Sequence, residues 1–179
     1  MVKVIISDKL STEGVKILEE AGFQVDCKFG IKPAELEKII GNYQGIIIRS
    51  GTKLTKNIIA KAHNLKVIGR AGVGVDNVDI EAATKRGAIV MNAPGGNTTS
   101  TCEHAFALML SAARNIPLAH LSMKNKAWER SKFKGVELNS KTLGIVGLGR
   151  IGKEMAKRAI AFGMKVLVYD PFITEESAE

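Results

Sequence analysis

The sequence predicts an α/β protein built on parallel sheets, and two observations lead to this fold class. In residues 1–97, short apolar runs typical of buried strands alternate with segments that have the periodicity of amphipathic helices. After residue 140, a further apolar strand runs into the glycine-rich turn Gly147-Leu-Gly-Arg-Ile-Gly152, which opens a helix. The first observation predicts a flavodoxin-like parallel-sheet domain over residues 1–98. The second predicts the start of a Rossmann domain within residues 99–179.

The first domain is predicted to contain five strands, which cover residues 2–7, 23–26, 45–48, 66–69 and 88–91. Helices are predicted over residues 11–21, 33–40, 57–62 and 78–85, because apolar side chains recur there every three or four positions. Thr55 and Asp76 are the predicted N-caps of the last two helices, and Pro33 suits a first helical turn. Strands that alternate with helices in this way are expected to pair in parallel.

The second domain is predicted to begin with a long apolar helix. Ser100 and Glu103 have the spacing of a capping box and predict its start, and it is expected to run to Arg114. Its many small and apolar side chains predict packing against a second domain or subunit. The predicted elements that follow are a helix break at 115–117, a helix at 118–126, a surface loop or subunit contact at 128–135, a strand at 141–146, a helix at 153–162 and a strand at 166–169.

The glycine-rich turn has the setting of a dinucleotide fingerprint, because an acidic residue also follows it about 20 positions on. Gly147 permits the tight turn, Gly149 lets the backbone approach a pyrophosphate, and Gly152 lets the helix pack close to the sheet. Asp170 can accept hydrogen bonds from the ribose hydroxyls of NAD, whereas the 2′-phosphate of NADP would meet its negative charge. NAD is therefore predicted over NADP. An ordinary glycine-rich turn without a ligand is the alternative.

Composition argues against several classes of function. The 179 residues carry 26 Lys and Arg against 18 Asp and Glu, and the net charge of +8 is spread over both halves of the chain. A dispersed positive charge favours an enzyme with an anionic substrate and cofactor over a nucleic-acid-binding protein. No apolar run approaches the roughly 20 residues of a membrane helix. Cys27 and Cys102 lack metal-ligand spacing, so free thiols, no metal site and a cytoplasmic location are expected.

Polar side chains follow three of the predicted strands. Arg49 and Ser50 come after the third strand, Arg70 after the fourth, and a loop from Asn92 to Asn97 after the fifth. The carboxyl ends of parallel strands meet at one edge of a sheet, where ligands of open α/β sheets bind. Arg recognises carboxylate and phosphate groups with two parallel hydrogen bonds, and exposed glycine N–H groups form anion nests. These loops therefore predict an anion site. Solvated arginines in simple turns are the alternative for each loop taken alone.

Four motifs lie in the order and spacing of a known family. They are Gly69-Arg-Ala-Gly-Val-Gly-Val-Asp-Asn-Val-Asp79, Asn92-Ala-Pro-Gly-Gly-Asn97, Trp128-Glu-Arg130 and Thr142-Leu-Gly-Ile-Val-Gly-Leu-Gly-Arg-Ile-Gly152. Over essentially its whole length the sequence resembles the D-isomer-specific 2-hydroxyacid dehydrogenases, and most closely the branch that acts on a phosphorylated acid. The resemblance implies NAD as the cofactor and a homodimer or higher homo-oligomer, with the helix from Ser100 at the subunit contact.

The resemblance also assigns residues to the two ligands. Arg49, Ser50, Arg70 and Asn97 fall where the branch binds the substrate phosphate and carboxylate, with Gly72 in the substrate-facing loop. Val73 falls on the nicotinamide side of that loop. The residues implied to contact the rest of the cofactor are Gly147, Gly149, Arg150, Ile151, Gly152 and Asp170. Arg130 is expected to reach the site of a neighbouring subunit.

The catalytic chemistry is expected to depend on residues outside this chain. The family uses an arginine, a glutamate and a histidine that all fall beyond residue 179, and neither His104 nor His120 matches that histidine. The chain is therefore expected to be the inactive N-terminal part of a longer protein, whose substrate domain is completed by a C-terminal segment. The resemblance implies that this protein oxidises 3-phospho-D-glycerate to 3-phosphohydroxypyruvate with NAD, in the first step of serine biosynthesis.

Two other functions remain open at this point. One is a glyoxylate or hydroxypyruvate reductase of the same family, which acts on a smaller substrate and has less need of Arg49. The other is a non-catalytic, NAD-sensing regulatory protein of the same fold.

Overall fold

A computed structural model describes residues 1–174 of the chain. The chain divides into two compact units, Met1–Gly96 and Asn97–Glu179. Both units consist of parallel strands with helices, so the predicted α/β class is confirmed. Within the described residues, none of the helices combines the length and the apolar character that crossing a membrane requires.

The first unit contains one parallel five-stranded sheet. Its strands are β1 (Lys3–Ile6), β2 (Gln24–Cys27), β3 (Gly45–Ile48), β4 (Val67–Arg70) and β5 (Ile89–Asn92). Their order in the sheet is β2-β1-β3-β4-β5, which is the flavodoxin-like order, and this prediction is confirmed. Ile48 pairs with Arg70, and Arg70 pairs with Asn92. The carboxyl ends of three neighbouring strands therefore lie level with one another.

Four helices connect these strands: α1 (Thr12–Glu20), α2 (Pro33–Ile39), α3 (Lys56–Lys61) and α4 (Ile80–Arg86), and a 3-10 turn (Ile40–Asn42) follows α2. The predicted cap Asp76 is wrong. Asp79 caps α4, because its side chain accepts a hydrogen bond from the N–H of Ala82 at 2.9 Å. Thr55 does occupy the N-cap position of α3, but its side chain makes no capping hydrogen bond.

The core of the first unit lies between the sheet and helices α2, α3 and α4. Isoleucines from three strands (Ile5, Ile46, Ile48 and Ile68) pack there against Leu36, Ile40, Ile58, Ile59 and Ala83 of the helical layer. The connection from β1 to β2 runs in one direction across the sheet, whereas the later connections all run in the opposite direction. Because crossovers between parallel strands are right-handed, the two directions place their helices on opposite faces of the sheet. Helix α1, which belongs to the connection from β1 to β2, therefore lies alone on the face opposite to α2, α3 and α4.

That opposite face carries an open apolar trough of about 680 Å³. Its floor consists of strand residues that alternate with the core isoleucines, among them Val4, Ile47, Val67 and Met91. Leu18 of α1 forms part of its wall, and α1 itself has no fully buried residue. Met91 is 58% exposed, so this face of the sheet is only partly covered within the described residues.

The second unit consists of α5 (Thr98–Ala113), α6 (Ile116–Lys124), a 3-10 turn (Arg130–Phe133), β6 (Thr142–Val146), α7 (Arg150–Ala161) and β7 (Lys165–Tyr169). Strands β6 and β7 are parallel, and Phe106, Ala159 and Met164 are the buried residues of its core. The predicted capping box at Ser100 is wrong. Asn97 is the N-cap of α5, and Ser100 lies one turn inside the helix and donates to the carbonyl of Asn97 at 3.2 Å.

The break between α5 and α6 is shorter than predicted. Asn115 adopts a left-handed conformation with φ of 52°, and α6 begins directly after it at Ile116. Pro117 lies in the first turn of α6, where the missing N–H has no intrahelical partner in any case. Likewise α7 begins at Arg150, three residues before the predicted start, so the end of the glycine-rich turn forms its first turn.

Candidate functional site

The Arg49–Thr52 loop after β3 is held by one carboxylate. Asp8, which follows β1, accepts hydrogen bonds from the N–H groups of Arg49 at 2.6 Å and Thr52 at 3.0 Å. Below this contact, the buried hydroxyls of Ser7 and Thr52 hydrogen-bond at 2.9 Å. The side chains of Arg49 and Ser50 remain exposed. The loop therefore presents both predicted residues on a backbone that is already fixed.

Arg70 is the last residue of β4 rather than part of the following loop, and its side chain is only 13% exposed. Its Nε donates to Oδ1 of Asn77 at 3.2 Å, and its Nη2 lies 3.9 Å from Asp76. A Cβ atom added to Gly72 would lie 2.3 Å from Nη1 of Arg70. Gly72 thus leaves the space that the guanidinium occupies.

The loop after β4 is also tied to β5. Asn92, the last residue of β5, donates from its side-chain amide to the carbonyl of Val73 at 2.6 Å. Arg49, Ser50, Arg70, Gly72 and Val73 therefore lie together at the carboxyl edge of the sheet. Asn97 belongs to the second unit, where it is the exposed N-cap of α5.

Two residues that the sequence analysis missed organise this edge. Asp8 orients the Arg49–Thr52 backbone, and Asn77 contacts both that loop and Arg70. Asp8 follows a strand as Arg49 does, so extending the analysis of strand ends to β1 would have found it. Asn77 carries no comparable signal, because its partner Arg49 is 28 positions away in the sequence.

The glycine-rich turn of the second unit joins β6 to α7. Gly147 has φ of +94°, a backbone conformation that side chains disfavour. A Cβ atom at Gly152 would lie 2.2 Å from the carbonyl oxygen of Gly147. At Gly149, by contrast, no atom of the described residues outside its own neighbourhood lies within 4 Å of an added Cβ. The turn is thus packed at Gly152 and open at Gly149, directly before the first turn of α7.

Asp170, which directly follows β7, lies beside the glycine-rich turn and forms a second group of candidate residues with it. Its Oδ1 accepts from the N–H of Phe172 at 2.9 Å, and its Oδ2 accepts from the N–H of Leu148 at 2.7 Å. These two hydrogen bonds, that of Phe172 first, lower the pKa of the carboxyl below its ordinary value. The ionised carboxylate therefore lies beside the glycine-rich turn, and each oxygen retains a lone pair for a further donor.

Other predicted residues lie outside these two arrangements. Arg130 is exposed in the 3-10 turn, and His104 is exposed in α5. The side chains of residues 1–174 include no group of three His, Cys, Asp or Glu that is suited to a metal ion.

The chain is similar to known proteins over almost its whole length. Residues 4–179 match the family described as "D-isomer specific 2-hydroxyacid dehydrogenase, catalytic domain". The chain is 53% identical over 177 residues to a D-3-phosphoglycerate dehydrogenase of Archaeoglobus fulgidus, covering 99% of this chain and 34% of that protein. It is 51% identical over 179 residues to the D-3-phosphoglycerate dehydrogenase of Bacillus subtilis, covering all of this chain and 34% of the relative. The chain thus spans about a third of the length of these curated relatives.

Solved structures give the same result for the fold. The TT0316 protein of Thermus thermophilus has a TM-score of 0.89 at 35% identity, covering 97% of this chain and 58% of its own. An NAD+-bound 3-phosphoglycerate dehydrogenase of Entamoeba histolytica has a TM-score of 0.78 at 36% identity, covering 98% of this chain and 56% of its own. From the match over residues 4–179, we conclude that the chain belongs to the D-isomer specific 2-hydroxyacid dehydrogenase family.

Proposed function

We propose that this chain is the N-terminal part of a protein that oxidises 3-phospho-D-glycerate to 3-phosphohydroxypyruvate with NAD, as the first step of serine biosynthesis. The observation that carries the proposal is the pair of arginines at the ends of β3 and β4, one exposed on a fixed loop and one held within the sheet edge. A substrate with both a phosphate and a carboxylate suits two guanidinium groups. The relatives described above are themselves D-3-phosphoglycerate dehydrogenases.

The substrate is proposed to bind at the carboxyl edge of the five-stranded sheet. Arg49 and Ser50 contribute a cation and a hydroxyl donor from an exposed loop, whereas Arg70 contributes a cation whose orientation is already set. Gly72 lacks the side chain that would collide with the guanidinium of Arg70 in this orientation. Asn97 is proposed to donate its amide to the same substrate. Its assignment rests on the family resemblance alone.

The second unit is proposed to bind NAD, which supplies a hydride acceptor when it is bound. Gly149 leaves open the space next to the start of α7, where N–H groups of the helix can donate to the pyrophosphate. Gly147 and Gly152 allow the turn that places them there, and Arg150 and Ile151 supply backbone beside it. Asp170 accepts hydrogen bonds from the ribose hydroxyls, and its charge disfavours a 2′-phosphate. Val73 is proposed to face the nicotinamide.

The proton acceptor for the substrate hydroxyl is proposed to come from polypeptide that follows residue 179. The same following polypeptide is proposed to cover the apolar trough and thereby complete the substrate domain of residues 1–98, while residues 99–179 begin the cofactor domain. Two observations support this. The trough of about 680 Å³ has an apolar floor, and α1 is the only helix of the first unit on that face. On this proposal the 179-residue chain alone is inactive.

The protein is proposed to be a cytoplasmic homodimer or higher homo-oligomer. Helices α5 and α6 and the segment after them carry apolar side chains that are more than half exposed, namely Leu108, Leu118, Leu121, Met123 and Trp128. A second copy of the chain would bury them, and Arg130 lies close by in sequence for contact with the neighbouring site. The two cysteines of the described chain are free thiols, which fits a reducing compartment.

Oxidation of 3-phospho-D-glycerate by the purified full-length protein, followed by NADH absorbance, tests the proposal. D-glycerate is the matched substrate because it lacks only the phosphate. Glyoxylate and hydroxypyruvate with NADH test the related reductase function, and NAD binding without turnover of any substrate would indicate a regulatory protein. Equal kcat/KM for 3-phospho-D-glycerate and D-glycerate, or activity with glyoxylate alone, would overturn the proposal.

A further inference from the structure

Asn77 connects the two arginines of the candidate substrate site. It lies in the loop between β4 and α4, and its Nδ2 donates to the carbonyls of Arg49 and Thr52, both at 2.6 Å. Its Oδ1 accepts from Nε of Arg70 at 3.2 Å. These partners also fix the orientation of the amide, because two carbonyls require a donor and a guanidinium requires an acceptor.

The Arg49–Thr52 loop is therefore clamped from both sides. The N–H groups of Arg49 and Thr52 donate to Asp8, and the carbonyls of the same two residues accept from Asn77. Ser50 and Gly51 lie between these fixed points. The clamp removes the backbone freedom that the loop would otherwise have to lose when an anion binds.

Asn77 is itself held by backbone contacts to the segment between β3 and α3. Its carbonyl accepts from the N–H of Leu54 at 2.8 Å, and the carbonyl of Leu54 accepts from Asp79 at 2.9 Å. Leu54 and Val78 also form a parallel bridge. The amide therefore projects from an anchored position, so it can transmit the position of Arg70 to the Arg49–Thr52 loop and the reverse.

We propose that Asn77 is a positioning residue that sets the spacing of Arg49 and Arg70, and thereby the affinity for a substrate that carries two anionic groups. This inference rests on the proposed function. It requires an amide in particular. Aspartate has the same shape and keeps an acceptor for Arg70, but it lacks both donors and would set a carboxylate oxygen against two carbonyl oxygens.

The test compares Asn77→Ala and Asn77→Asp with Asn64→Ala in the full-length protein. Asn64 is the matched control, because its Nδ2 also donates to a backbone carbonyl, that of Gly41 at 2.7 Å, but it has no contact with either arginine. Loss of the hydrogen bonds from Asn77 is expected to raise KM for 3-phospho-D-glycerate about tenfold or more, with kcat and KM for NAD within about threefold of wild type. Asn64→Ala is expected to leave all three values unchanged.

The variants separate positioning from general loss of stability. Each is also followed by thermal unfolding, and Asn77→Asp serves as the near-isosteric variant if Asn77→Ala does not fold. A wild-type KM for 3-phospho-D-glycerate in both Asn77 variants would overturn the inference, as would an equal rise in KM for NAD. If the wild-type protein does not oxidise 3-phospho-D-glycerate at all, the proposed function fails instead, and the two failures are thus distinguished.

Discussion

Gly152→Ala tests whether this glycine of the turn between β6 and α7 is required for packing, in contrast to Gly149, which is proposed to make room for the cofactor. A Cβ atom at this position would lie 2.2 Å from the carbonyl oxygen of Gly147 and 3.2 Å from its carbonyl carbon. Since both atoms belong to the backbone, no side-chain rotation can relieve the clash. The first turn of α7 would have to move by roughly 1 Å before the contact reached an ordinary van der Waals distance.

Such a displacement has an estimable effect on stability. Forced overpacking in a well-packed region costs about 1–3 kcal/mol. In the full-length protein this loss should lower the urea midpoint of the transition that involves the second unit, with the m-value unchanged. NAD affinity should fall as well, because the moved turn is the one that is proposed to present N–H groups to the pyrophosphate.

Gly149→Ala and Gly144→Ala are the matched controls, since within the described residues an added Cβ meets nothing within 4 Å at either position. Gly149→Ala is expected to keep the urea midpoint of wild type but to weaken NAD binding by roughly tenfold or more, because its methyl group would enter the space assigned to the pyrophosphate. Gly144→Ala, inside β6, is expected to change neither quantity. Calorimetric titration with NAD and urea unfolding measure both. A Gly152→Ala variant with the urea midpoint of the wild type, or a Gly149→Ala variant with wild-type NAD affinity, would refute this account of the turn.

Three further perturbations test other parts of the proposals. Gly72→Ala is expected to displace the flexible end of Arg70 and raise KM for 3-phospho-D-glycerate at little cost in thermal stability, whereas Gly144→Ala, which meets no atom of the described residues within 4 Å, should change neither. Asp170→Asn is expected to reduce the ratio of kcat/KM for NAD to that for NADP. Two backbone N–H groups lower the pKa of Asp170 in the folded protein. The stability that Asp170 contributes is therefore complete above its unfolded-state pKa of about 3.9 and is lost as the pH falls through its folded-state pKa. The free energy of unfolding of Asp170→Asn should accordingly depend less on pH in that range than that of the wild type. Met91→Glu places a charge in the apolar trough. It is expected to destabilise the full-length protein by about 1–3 kcal/mol but the 179-residue chain by less than about 0.5 kcal/mol. Equal losses of stability in the full-length protein and in the 179-residue chain would contradict the proposal that later polypeptide covers the trough.

The regular part of the fold could be predicted because local patterns determine it. Short isoleucine- and valine-rich runs identify every strand of the first sheet to within one or two residues, and their alternation with helices implies parallel pairing. The choice of helix cap could not be predicted in the same way. Asp76 and Asp79 are both plausible caps by sequence, but the contact of Leu54 with the 77–79 segment fixes where α4 begins.

Long-range contacts explain the missed site residues as well. Asn77 and Arg49 are 28 positions apart, and no local pattern joins them. The arginines themselves are predicted as anion contacts because a planar cation after a strand is recognisable in the sequence. The residues that hold those arginines are short amide and carboxylate side chains, which are common in loops. Local sequence therefore indicates candidate anion contacts more readily than the groups that position them.

The charges around the two arginines are compatible with an anionic ligand at the proposed substrate site, although that site includes acidic side chains. Asp8 lies beside the Arg49–Thr52 loop, but its carboxylate accepts from backbone N–H groups and not from a guanidinium. Asp76 lies 3.9 Å from Arg70, which is long for an ion pair, and its side chain is 86% exposed, so this pair is weak. Among residues 1–174, Arg49 forms no ion pair. The charge of Arg49 therefore remains available to a ligand, because Asp8 binds backbone N–H groups, and the charge of Arg70 is offset only in part by Asp76.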